Sequence, residues 1–90
     1  MEKDIENAVV RYAEQKGIVV RKYTTPGRRN APDRIFFPGH GVVFFVEFKD
    51  VDKIPRPGQL REALTLRGQG VEVYAVDSIK TGKAIIDTYT

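Results

Sequence analysis

The sequence predicts an α/β (α+β) fold in which a central mixed β-sheet is flanked by helices, with elements running αβββαβ and a short helix after the last strand. Three observations carry this. Residues 2–16 repeat apolar side chains at helical spacing, and two β-rich runs between 33 and 49 flank a glycine-rich turn. A second helical stretch then separates those runs from a further β-rich segment at 71–76.

From Glu2 to Lys16, Ile5, Ala8, Val9, Tyr12 and Ala13 recur every three or four residues, and Gly17 stands where a helix C-cap belongs. Ile18, Val19 and Val20 follow as the first strand. Residues 24–32 have neither period, carry Pro26, Gly27 and Pro32, and predict a mobile loop. Asp33–Phe37 and Gly41–Lys49 are rich in β-branched and aromatic residues, and Pro38-Gly39-His40-Gly41 between them signals a hairpin. After the Pro-rich turn at 54–58, Leu60, Ala63, Leu64 and Arg67 describe a second helix over Gln59–Arg67, ended by Gly68-Gln69-Gly70. In Val71–Val76, Val71, Val73 and Ala75 alternate with Glu72 and Tyr74, and a last short helix runs from Asp77 to about Ile86. No repeat, low-complexity segment or linker interrupts residues 1–90, so one unit is expected.

Ninety residues give a core near the lower end of what is self-supporting, so a second subunit is expected to contribute. With no cysteine, disulfides and thiolate metal sites are excluded, and a metal would be held by oxygen or by the single His40. The longest apolar run is too short to span a bilayer, and MEKDIENAVV lacks the apolar core of a signal peptide. A cytoplasmic protein with no membrane partner is the expectation. The net charge of +3 and pI of about 9.3 conceal an uneven distribution. Arg21, Lys22, Arg28, Arg29 and Arg34 lie in a stretch whose only acid is Asp33, and Lys49, Lys53, Arg56 and Arg61 form a second group. Such clustering points to a polyanionic partner, with a merely solvated surface as the alternative.

The hairpin raises a sharper question, because Val42-Val43-Phe44-Phe45-Val46 runs directly into Glu47 and then Lys49. A charge inside an apolar strand is costly unless something pairs with it. Alternate residues share a face, so Phe45, Glu47 and Lys49 point one way and Val46 and Phe48 the other. A three-residue loop, Gly39-His40-Gly41 with Gly41 left-handed, sets Pro38 opposite Val42 and, in step, Asp33 opposite Glu47. Their Cβ atoms then lie roughly 5 Å apart. Facing carboxylates repel unless a cation lies between them, and a hard divalent ion, Mg²⁺ or Mn²⁺, suits an all-oxygen pair. On this reading Phe45 packs under the first helix while Glu47 and Lys49 emerge into a cleft, approached from that helix more closely by Glu6 than by Glu2. Both acids lie on one helix face, Glu6 at the edge of the buried stripe.

Pro32-Asp33, thirteen intervening residues, and then Glu47-Phe48-Lys49 resemble the PD-(D/E)-X-K nuclease signature. With Glu6 on a preceding helix and the later Gln59, the chain is similar to the virus-type replication-repair nuclease (VRR-NUC) branch, in its stand-alone phage or bacterial form. The resemblance covers nearly the whole chain. It implies a restriction-endonuclease-like core and a homodimeric, structure-specific DNA endonuclease acting on Holliday junctions or other branched DNA with Mg²⁺ or Mn²⁺. It further implies that Asp33, Glu47 and the backbone carbonyl of Phe48 hold the ion, and that Lys49 orients water and stabilises phosphorane charge. Glu6 assists directly or through water, though Glu2 fits another alignment, and Gln59 takes a supporting position beside Lys49 or a phosphate. Arg28 and Arg29 of the loop, with Arg21 and Lys22 before it, would grip backbone phosphates. His40 reads as a surface turn residue. Two other readings compete: a DNA-binding module that does not cleave, opposed by the filled catalytic positions, and an interaction domain docking through strand 42–46, opposed by the basic clustering.

Overall fold

Helix α1 (Glu2–Gln15) buries one stripe, Ile5, Val9 and Ala13, which is the helical spacing expected of its sequence. Gly17, at φ 86, turns the chain out of the helix into strand β1 (Val19–Lys22). Strands β2 (Arg34–Gly39) and β3 (Val42–Phe48), helix α2 (Pro57–Arg67), strand β4 (Glu72–Val76) and helix α3 (Ile79–Thr88) complete the order. The computed structural model describes residues 1–90. The strands form one mixed sheet, ordered β1-β2-β3-β4, with antiparallel β1–β2 and β2–β3 pairs and a parallel β3–β4 pair that α2 bridges.

The predicted boundaries shift slightly. The first strand lies at Val19–Lys22, so Arg21 and Lys22 are strand residues; α2 begins two residues early, at Pro57, whose fixed φ suits a first turn; and α3 ends at Thr88.

Five consecutive residues of β3, Phe44 to Phe48, are buried, so this strand is covered on both sides. One face carries Phe44, Val46 and Phe48, which with Val20, Phe36 and Val76 meet Ile5, Val9 and Ala13 of α1 and Ile86 of α3. There Phe36 stacks on Phe44 at 4.8 Å and Tyr89 on Phe44 at 4.2 Å between ring centres. The other face carries Phe45, packed with Val73, Ala63 of α2 and Tyr23. The expectation that Phe45 lies under the first helix is therefore wrong. Alternation sends Phe44 and Val46 to α1, and Phe45 and Glu47 share the opposite face, beneath α2.

The hairpin also differs from its expected form. Gly39 pairs with Val42 across a two-residue turn, His40-Gly41, in which both residues have positive φ (57 and 76), as a type I′ turn requires. Between the Gly39–Val42 and Phe36–Phe44 pairs, β2 carries two residues and β3 one, so Phe37-Pro38 forms a bulge. Proline, having no N–H to donate, fits such a break in the ladder. The bulge restores the register that a three-residue loop would have set. Arg34 pairs with Val46 and Ile35 with Phe45, and the Asp33 N–H continues to the Val46 carbonyl at 3.0 Å.

Candidate active site

Because that register carries on, Asp33 and Glu47 share a face where β2 and β3 begin to part. Glu47 is 7% exposed. Its Oε2 accepts a hydrogen bond from Gln59 Nε2 at 2.5 Å and lies 3.5 Å from Lys49 Nζ, while its Oε1 is buried without a partner. Asp33 Oδ2 accepts the Phe48 N–H at 2.8 Å. Phe48 thus buries its ring in the α1 face of the core and holds Asp33 through its backbone. The predicted neighbours Glu47 and Lys49 are paired, and Asp33 is fixed to the residue between them.

Burial first, and then the Asp33 charge, raise the Glu47 carboxyl against the pull of Lys49, and together they leave it pushed up to about 7. Asp33 is raised mainly by burial and also by Glu6, against the Phe48 N–H and the cations Lys49 and Arg34. Two carboxylates that each resist ionisation, one with a buried oxygen lacking any donor, fit a hard divalent cation. Nowhere are three His, Cys, Asp or Glu side chains gathered, so two carboxylates are what this site would offer a metal.

Glu6 lies with Asp33 and Lys22 along a cleft of about 350 Å³, but it is already engaged. Arg34 Nε donates to Glu6 Oε2 at 2.6 Å, and Lys3 Nζ is 3.8 Å from Oε1. Its charge reaches Asp33, and the charge of Glu2, an exposed residue, reaches Glu47, so both helix acids act on the centre. Arg34 is the residue that sequence reasoning left without a role. The signal was its place beside Asp33, since alternation turns its side chain toward the α1 face while Asp33 turns away.

Gln59 combines two tasks. Its Oε1 accepts the Arg56 N–H at 2.8 Å as the return half of a capping box, and its Nε2 reaches Glu47. The Glu47 oxygen it reaches is the one Lys49 approaches, so Gln59 stands beside Lys49 with Glu47 between them. Of the basic residues, Lys22 lines the Asp33 cleft, and Arg21 donates to the Val20 carbonyl at 2.8 Å. Arg28 spans from the loop to α2, 3.3 Å from Glu62, and Arg29 is exposed.

No family model matches the chain. It is 38% identical over 77 residues to a protein named "Putative nuclease p44" from Acyrthosiphon pisum secondary endosymbiont phage 1, an alignment spanning 86% of this chain and 83% of that one. It also superposes on a solved structure described as "VRR_NUC domain" with a TM-score of 0.89 and 36% identity, over 99% of this chain and 97% of the other. Likeness at that identity and over nearly full length goes beyond shared architecture, and the chain belongs to the VRR-NUC family of nucleases.

Proposed function

We propose that this nuclease domain, spanning residues 1–90, is a metal-dependent endonuclease that hydrolyses phosphodiester bonds of branched DNA, such as Holliday junctions, as a homodimer. The observation that carries the chemistry is the Asp33–Glu47 pair, flanked by Lys49, with one Glu47 oxygen fixed by Gln59 and the other buried and unpartnered. Asp33 and Glu47, with the backbone carbonyl of Phe48, would hold Mg²⁺ or Mn²⁺, which when bound supplies an acidified water and a polarised phosphate. Gln59 and the Phe48 N–H keep the two carboxylates aimed. The Lys49 ammonium, tethered 3.5 Å from Glu47, offsets negative charge as the phosphate is attacked. Glu6, itself held by Arg34, lines the cleft through which the strand would pass, and Arg21, Lys22, Arg28 and Arg29 would grip the DNA backbone without reading bases. Symmetric cuts at a junction need two such centres.

The test is incubation of the purified protein with labelled four-way junction, flap and linear duplex, each with Mg²⁺, Mn²⁺ or chelator, beside its mass in solution by light scattering. Asp33→Ala, Glu47→Ala and Lys49→Ala should each lower cleavage about 10²-fold or more while DNA binding in chelator stays. Cleavage that survives Glu47→Ala, or that proceeds unchanged in chelator, would sink the mechanism. Equal cutting of linear duplex would remove the branched preference alone.

A further inference from the structure

The loop at residues 24–32 divides two clefts, and only one of them is lined by Asp33 and Glu6 of the candidate active site. On one side, Arg28 and Ala31 line the cleft of Asp33, Glu6 and Lys22. On the other side the same two residues line a second open cleft, with room for about 420 Å³, formed between the loop and α2. Arg29 from the loop and Arg61 from α2 complete its basic lining, and Ala31 is its one hydrophobic residue.

The cleft is built by the fold. Asn30 lies against Gly58 in the first turn of α2, so closely that a Cβ there would overlap the Asn30 amide, and this seats the loop on the helix. Three guanidiniums face one acid, Glu62, giving three positive charges against one negative, a net of two. Glu62 is 12% exposed and holds Arg28 at 3.3 Å, whereas Arg29 and Arg61 have no ion-pair partner. Guanidiniums bind phosphate oxygens as they bind carboxylates, and Arg28 meets Glu62 through one nitrogen at 3.3 Å, so a phosphate entering the cleft would compete with Glu62 for it. The second cleft shares its wall, Arg28 and Ala31, with the catalytic one, so the anion brought beside it is the backbone of the same substrate.

Resting on the nuclease reading above, we propose that this second cleft binds the phosphodiester backbone of a DNA segment other than the one being cut. Arg61 and Arg29 are its unoccupied contacts, and Glu62 is an internal competitor that gives up Arg28 when DNA enters. The loop is then a divider between two strands of one substrate.

The experiment measures binding of fluorescent duplex and four-way-junction oligonucleotides in chelator across a salt series, so that cleavage plays no part. Arg61→Ala, at an exposed helix position that alanine suits, should weaken binding about tenfold. It should also flatten the slope of log affinity against log salt by about 0.9. Glu62→Gln should do the opposite of what loss of an ion pair does to a fold, tightening DNA binding about threefold. If Arg61→Ala binds like the wild type, the second cleft holds no backbone. A Glu62→Gln protein that binds DNA equally or more weakly, whatever its melting temperature, overturns the competitor role. Should the wild-type protein itself neither bind nor cut DNA, it is the nuclease function that fails; wild-type binding and cutting with both variants neutral removes the second cleft alone.

Discussion

Glu47 is a carboxylate that folding makes harder to ionise, and this has a measurable sign. Its pKa rises from the ordinary 4.5 to about 7, so the native state holds that proton more tightly than the unfolded chain does. The stability it lends is full below about 4.5, falls as pH rises through that window, and is lost above about 7. Asp33 is shifted the same way and adds to the trend. In chelator, the melting temperature should therefore fall between pH 5 and pH 8, and Glu47→Gln should flatten the fall and melt several degrees above wild type at pH 8. A Glu47→Gln protein that follows the wild-type pH profile would show that the carboxylate is solvated. At this scale the sequence spoke clearly for Asp33, Glu47 and Lys49, because strand alternation and hairpin register are local. It was silent on Arg34 holding Glu6 and on Gln59 reaching Glu47, contacts between α1 and β2 and between α2 and β3 that only the assembled chain makes.

Among the elements, the hairpin shows why a correct register can be reached from an incorrect loop. A three-residue loop and a two-residue turn preceded in β2 by a bulge of one extra residue place Asp33 opposite Glu47 alike, and the apolar pattern of β3 constrains only the result. Pro38 held the missing signal, since it cannot donate to the ladder. Which helix covers which face was equally hidden, because a strand buried on both sides gives no alternation to orient it. The packing of α3 on α1 yields an element-scale prediction. Gly82 is buried in α3, and a Cβ there would overlap a methyl of Val9, itself 1% exposed. Alanine ordinarily gains about 1 kcal/mol over glycine in a helix, but overpacking a tight core costs about 1–3 kcal/mol. The second effect should win, and Gly82→Ala should lower the midpoint of thermal unfolding by several degrees, whereas a rise would mean the two helices separate easily.

Across the whole molecule the burial is lopsided. Helices α1 and α3 close one face of the sheet over eleven buried residues, while the cluster on the α2 side has three. Helix α2 itself buries only Gln59 and Ala63, leaving Leu60 and Leu64 exposed. Such a helix is the part of a small domain that opens first, at a fraction of the free energy needed to unfold the rest. Its departure would take the Gln59 donor away from Glu47, and with it the far wall of the cleft lined by Arg61, while strands β1 to β3 stayed paired. Heat or mild denaturant should then silence the enzyme before the sheet melts. In hydrogen–deuterium exchange, the amides of residues 60–67 should exchange faster than those of Phe44–Phe48. The same slow rate in both would mean that helix and sheet open only together.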